Sequence, residues 1–383
     1  MADASDIGNT RVRGEFVQEY NLLAREHGIP VFVPDNNSPS PVNHPSQQRG
    51  NWFIRKFLRR ESTAGNASST RPDKKAKTGH RVSDLAMHLI SGAKRDSLRD
   101  EDLQSLVRLC GKSMVYLPSE YAVGPLVLPT CFRATAQYLV QHGADARGVF
   151  RIPGSVRVVN ALYNYYCADG NADEITNTTR CPNLPAHIKA GIHDVASTFK
   201  RLLSGLPGGI LGSRSLFDAL ASIHNQLTET DDTELRARLI ALAVGSIGSK
   251  LRRELICAVF GLLSLIRHTV ETAPREDKHE KPLLMPDMMG YNALGIVFGP
   301  LLIGDDIDSC TVGGTNDTAE SAPLLAPPPN KWKLRWKGKI PEDVHSGTLS
   351  VDKVHMVDNI AEMLITHWRD IVKQMRSLGV LEQ

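Results

Sequence analysis

The chain has 383 residues, enough for one large domain or two ordinary ones, and its 41% hydrophobic content permits a substantial core. A formal charge of +3 is nearly balanced, so the total argues neither for nor against a nucleic-acid partner; only local clustering bears on that. The six cysteines, at 110, 131, 167, 181, 257 and 310, form no C-x-x-C pair, which leaves a zinc site or redox pair without support.

In chain order, MADASDIGNT has no basic region followed by an apolar run, so no secretory signal is expected. Residues 12–33 read as a helix followed by an extended piece. The next stretch, NNSPSPVNHPSQQRG, reads as linker, because its prolines and small polar residues cannot build a core. At 51–60, Trp52, Phe53, Phe57 and Leu58 are interspersed with Arg55, Lys56, Arg59 and Arg60, and a second basic run occupies 71–81. This segment admits two main readings. One is an arm drawn to an anionic membrane at roughly 1 kcal/mol per Lys or Arg. The other is a solvated linker whose aromatics rest on the main domain. Short basic runs also match nuclear-targeting patterns. No nucleic-acid-binding fold surrounds the run, and residues 1–81 as a whole read as a largely flexible N-terminal region.

From 82 the apolar residues fall three and four apart, the helical period, and 82–119 reads as a helical lead-in. LPTCFRATAQYLVQHG, 128–143, is an amphipathic helix with proline at its start and Gly143 as its stop. Five further helical patterns follow, joined by Gly/Pro loops, so the region from 120 to 303 is predicted to be an all-α bundle. Its most apolar stretch, about 290–303, is too short and too broken by glycine to span a bilayer. Cys131 and Cys257 lie in apolar runs and read as small buried hydrophobes. Residues 304–350 break the pattern. Their first half reads as disordered, and the second, around Trp332, Leu334, Arg335 and Trp336, as a short strand or a mobile basic patch. A stripe through Val357, Ile360, Leu364, Trp368 and Ile371 then predicts a final helix over 355–378. Such a helix needs an apolar partner, so 304–350 is read as an insertion within a domain of 120–378.

The sharpest local feature is GVFRIPGS, 148–155, a loop in which an aromatic anchors and Arg151 projects. By composition alone the reading of Arg151 as a surface ion-pair partner prevails. GVFRIPGS resembles the arginine-loop signature of Rho GTPase-activating (RhoGAP) domains, Gly-Ile-Phe-Arg with a glycine three residues later. LPTCFRATAQYLVQHG is similar to that family's first core helix. VASTFKRLLSGLP, 195–207, resembles its Val-Ala-Ser-Leu-Leu-Lys helix ending in Arg-Glu-Leu-Pro. LGIVFGPLL, 294–302, resembles its Leu-Ala-Ile-Val-Phe-Gly-Pro block. The four blocks stand in the family's order over roughly 120–303, and residues 1–80 are not covered.

The resemblance implies that Arg151 enters the active site of a GTP-loaded Rho-type GTPase. GTP and magnesium belong to that partner, and the chain needs no cofactor of its own. Phe150, Gly148 and Gly154 would position the loop, and Lys200 would hold it or touch the GTPase. The family arginine four residues after Lys200 is Ser204 here, followed by Gly205, and its Pro-Glu-Pro is Pro207, Gly208 and Gly209. The family's interface asparagine is Ala293, with Met289 before it, and Asp287 stands where another asparagine is common. Arg201 and Asn292 are the nearby substitutes. Arg201 sits about one position round its helix and Asn292 is one residue from Ala293, a rotation of about 100 degrees; with Lys200 they form the expected partner-binding set. Three functions follow: a cytoplasmic GTPase activator, a weakly catalytic adaptor that binds GTP-loaded GTPase, or a scaffold acting through 51–81 and 304–350. No G-x-x-x-x-G-K-[ST] loop or H-E-x-x-H spacing is present, so nucleotide binding or metal-assisted hydrolysis by the chain itself is not expected. The adjacent His193 and Asp194 point apart on a helix and read as capping or surface residues rather than a catalytic pair.

Overall fold

A computed structural model describes residues 4–35, 102–167, 181–227, 232–272, 289–304 and 351–381, all within one compact unit. The basic–aromatic segment 51–81, the insertion 305–350, Asp287 and Cys310 lie outside the described residues.

Helix α1 (Ala4–Glu26) opens the chain. Phe16, Tyr20 and Ala24 recur every four residues and are all buried, which turns one face of α1 onto the bundle. After it the chain runs extended to Asp35. Asn21 brackets this piece, accepting from Phe32 N at 2.6 Å and donating to Phe32 O at 3.1 Å, while the Tyr20 and Phe32 rings meet at 5.5 Å. The helix-then-extended reading of 12–33 therefore describes a piece of the folded unit. Its apolar face is covered by the bundle, so these residues depart from the flexible N-terminal region in which the sequence placed them.

Helix α2 (Leu103–Cys110) is capped by Asp102, which accepts from Ser105 N at 2.7 Å, and Gly111 ends it in a positive-φ conformation. Strands β1 (Lys112–Val115) and β2 (Leu126–Pro129) then pair antiparallel, from Lys112 opposite Pro129 to Val115 opposite Leu126. The sequence reading contains no such ribbon. At four residues each, the strands are too short to show a period. Helix α3 (Thr130–His142) follows at once from Pro129.

The remaining bundle is α4 (Val156–Cys167), α5 (Ile192–Ser204), α6 (Arg214–Gln226), α7 (Thr233–Gly245), α8 (Lys250–Thr272), α9 (Tyr291–Phe298), a 3₁₀ turn (Gly299–Leu301) and α10 (Val351–Leu378). Helix α8 is apolar and long enough to cross a membrane by length and composition alone, yet most of its apolar stretch is buried inside the bundle. The 290–303 stretch, singled out in the sequence as most apolar, is instead a short helix and turn.

Helix α10 lies along α7, α8 and α9. All five residues of its expected stripe are buried, each contributing about 1.5–3 kcal/mol. Trp368 meets Phe260 at 5.5 Å and donates from its indole N–H to Tyr121 O at 2.9 Å. Gly261 allows this approach, since a Cβ there would lie 2.5 Å from Tyr121 O.

Candidate functional site

The loop between α3 and α4 carries the GVFR motif. Gly148 turns the chain with φ of 57°, and its carbonyl accepts from the N–H groups of Arg151 and Ile152, both at 2.9 Å. That tight turn buries Val149 and Phe150 and exposes Arg151. The Phe150 ring stands edge-on to Phe298 at the end of α9, with centroids 4.9 Å apart. Two of the blocks identified in the sequence, 148–155 and 294–302, thus meet through one aromatic pair.

Helix α5 lies beneath the loop, held on α3 by Phe199 against Phe132 at 6.2 Å. Lys200 donates from Nζ to the Phe150 carbonyl. Burial lowers the Lys200 pKa to about 8, because the charged ammonium has lost much of its water.

The neighbouring candidates turn elsewhere. Arg201 donates to Asn160 Oδ1 at 2.5 Å and stacks over the Tyr163 ring at 3.9 Å, both on α4. Asn292 donates to Glu362 on α10 at 3.1 Å. Ser204 is exposed and returns its hydroxyl to Arg201 O, and Ala293 packs partly into the core. Arg151, Phe150 and Lys200 therefore form one constellation, while Arg201 and Asn292 are tied to adjoining helices.

Two loop-binding residues were not singled out for this role in the sequence. Asp194 Oδ1 accepts from Ser155 N at 2.6 Å and its Oδ2 accepts from Gly191 N at 2.8 Å. Ser197 Oγ accepts from Gly154 N at 2.9 Å. Gly154 itself has no room for a side chain, since a Cβ would lie 2.5 Å from Asp194 Cα. The signal in the sequence is the spacing of 194, 197 and 200, three polar residues along one side of an amphipathic helix.

The segment that replaces the family's Pro-Glu-Pro is also well built. Gly208, Gly209 and Gly212 all have positive φ, and Ile210 and Leu211 donate to Leu301 and Leu302 carbonyls at 2.8 and 2.9 Å. Arg252 donates to the Gly209 carbonyl at 2.5 Å, and burial lowers its pKa to about 10. Among the described residues no group of three His, Cys, Asp or Glu side chains is placed to hold a metal ion.

Residues 129–306 match the family described as RhoGAP domain. That span, just under half of the chain, is a divergent RhoGAP domain. The matched span runs from the end of β2 through the 3₁₀ turn and so contains the arginine loop, α5 and α9. RhoGAP domains act as activators of a partner GTPase's hydrolysis and are not themselves hydrolases. A relative from Schizosaccharomyces pombe, described as probable Rho-GTPase-activating protein 6, is 25% identical over 270 residues. That alignment covers 68% of this chain and 32% of the relative, so the chain spans about a third of that protein's length. Two solved structures are also similar. The BH domain from GRAF, the GTPase regulator associated with focal adhesion kinase, is 15% identical with a TM-score of 0.39, covering 64% of this chain and 93% of that one. Human Rho GTPase activating protein 15 is 16% identical with a TM-score of 0.39, covering 63% and 83% respectively.

Proposed function

We propose that this RhoGAP domain accelerates GTP hydrolysis by a Rho-family GTPase in its GTP-bound state, with Arg151 as the arginine supplied to the partner's active site. The observation that carries the reading is an exposed arginine next to a buried phenylalanine whose ring and carbonyl are both held, by Phe298 and Lys200. Phosphoryl transfer to water builds negative charge on the transferring and leaving oxygens. A planar, permanently ionised guanidinium donates several hydrogen bonds to those oxygens, which a lysine's point charge does not match. A finger arginine is worth roughly 10³–10⁵ in rate, about 4–7 kcal/mol of barrier. The partner supplies the water, the magnesium and the phosphate cradle.

Single-turnover GTP hydrolysis by a panel of Rho-, Rac- and Cdc42-type GTPases tests this. The wild-type chain is expected to accelerate at least one of them, and Arg151→Ala to remove most of that acceleration, about 10³-fold where the finger works fully. No acceleration anywhere in the panel overturns the proposal.

A second reading is favoured by a specific observation: the two residues expected to stand in for the missing interface groups, Arg201 and Asn292, are engaged within the domain. It makes the chain an adaptor that binds the GTP-loaded partner with little turnover. Binding that depends on the GTP state, with hydrolysis unaffected by Arg151→Ala, is its expected signature.

A further inference from the structure

We infer that Asp194 and Ser197 are positioning residues for Arg151, forming with Lys200 a three-point rail along α5 that pins both feet of the arginine loop. This rests on the reading of Arg151 as the finger. The three residues are spaced i, i+3 and i+6, so they rise along one side of α5 by about 4.5 Å per step. Lys200 takes the upstream foot, the carbonyl of Phe150. Ser197 takes the N–H of Gly154 and Asp194 the N–H of Ser155, the downstream foot. Between the pinned positions lie only Arg151, Ile152 and Pro153, and the proline ring fixes one of their φ angles.

The Asp194 carboxylate serves two helix starts at once. Its Oδ2 satisfies Gly191 N at the N-cap of α5, while Oδ1 satisfies Ser155 N immediately before α4. Negative charge beside two helix N-termini is favoured by both dipoles. One carboxylate therefore sets the angle between the helix that carries the rail and the helix into which the loop runs. The fit is close: Gly154 Cα lies where a side chain would strike the backbone of His193 and Asp194. A planar guanidinium must arrive with its fork oriented, and a 1 Å misplacement of a reacting group costs up to about 10²-fold in rate. Holding the loop from both feet is how this domain aims an arginine without the long cation that Ser204 replaces.

The test uses the full chain and compares wild type, Asp194→Asn, Ser197→Ala, Arg151→Ala and the Asp194→Asn/Arg151→Ala double variant. Two readouts are taken: GTPase acceleration across a range of domain concentrations, and hydrogen exchange of peptides spanning 148–156. Asp194→Asn is expected to lower the saturated rate about 10-fold with the half-saturating concentration within about twofold of wild type. Ser197→Ala, which keeps the α5 cap, is expected to lower it by about threefold, so the rail stays testable if Asp194→Asn folds poorly. In the Arg151→Ala background the Asp194→Asn loss should not recur, because a positioning residue has nothing left to position. Exchange of 148–156 should quicken in Asp194→Asn while α6 and α7 stay protected. A saturated rate within twofold of wild type in both single variants, or an equal loss in the Arg151→Ala background, overturns the inference. Should the wild type accelerate no GTPase, the functional reading fails separately, and unchanged loop exchange in Asp194→Asn overturns the rail on its own.

Discussion

Arg151 sits in a loop that is held by groups packed inside the domain. Phe150 beside it is buried against Phe298, and Lys200 spends its ammonium on the carbonyl between them. Substituting Arg151 by alanine removes the guanidinium and leaves Phe150, Phe298 and Lys200 in place, so the variant is expected to keep the wild-type circular dichroism spectrum while losing most acceleration. Lys200 offers a pH signature. Its pKa falls from 10.5 to about 8 on folding, through burial. Below pH 8 the amine is charged in folded and unfolded chains alike, and the full desolvation cost opposes folding. Between pH 8 and 10.5 the unfolded chain binds the extra proton, so stability from this group rises with pH. Lys200→Met should lose that gain: the difference in urea-unfolding free energy between pH 8 and pH 10 is expected to be smaller than in wild type. An unchanged difference would place the Lys200 ammonium in water.

At the scale of elements, the contact of α9 with α10 is closer than the related motif suggests. The family block carries alanine where this chain has Gly295. A Cβ at 295 would lie 2.7 Å from the Asp358 carbonyl and 3.1 Å from Glu362 Cβ, and one at Gly299 would lie 2.5 Å from Asp358 Oδ1. Backbone oxygen cannot swing aside as a side chain can, so Gly295→Ala must push the helices apart. The expected cost is about 1–3 kcal/mol of stability, read from denaturant midpoints. Because Phe298 on α9 braces Phe150, the same substitution is expected to lower GTPase acceleration with little change in helical content.

For the whole molecule, the N-terminal piece is part of the core. Phe16, Tyr20, Ile29 and Phe32 are buried, Glu19 pairs with Arg238, and Arg238 continues to Gln374 and Ser377 on α10. Gly245 accommodates the Phe16 ring, 3.0 Å from where a Cβ would sit. Four large side chains at about 1.5–3 kcal/mol each are comparable to the 5–15 kcal/mol by which a domain is stable. Deleting residues 1–35 is therefore expected to lower the melting temperature sharply or yield aggregated protein, although the family match begins only at residue 129. A truncated chain that melts with wild type would show that α1 merely decorates the bundle.

Most helices of the bundle were legible in the sequence because they carry a 3.6-residue apolar stripe, and those of α3, α5, α8 and α10 are long enough to read without neighbours; α7 is buried on all sides and is legible only by its apolar run. The arginine loop was legible through Gly148, Phe150 and Gly154; a local turn accounts for Gly148, whereas the ring of Phe298 and the backbone of Asp194, which account for the other two, come from distant helices. The ribbon of β1 and β2 was not, since four-residue strands have no readable period. Nor were the directions of Arg201 and Asn292: both stand near the expected interface in sequence, but Tyr163 with Asn160, and Glu362, come to them from other helices. Asp194 makes the same point from the other side. Its capping of α5 is local, one of the two roles the sequence leaves open for it, whereas its bond to Ser155, 39 residues away, exists only because α4 and α5 pack together. Periodicity and turn chemistry act over a few residues and can be read along the chain; a hydrogen bond between distant residues is decided by which helices the core brings side by side.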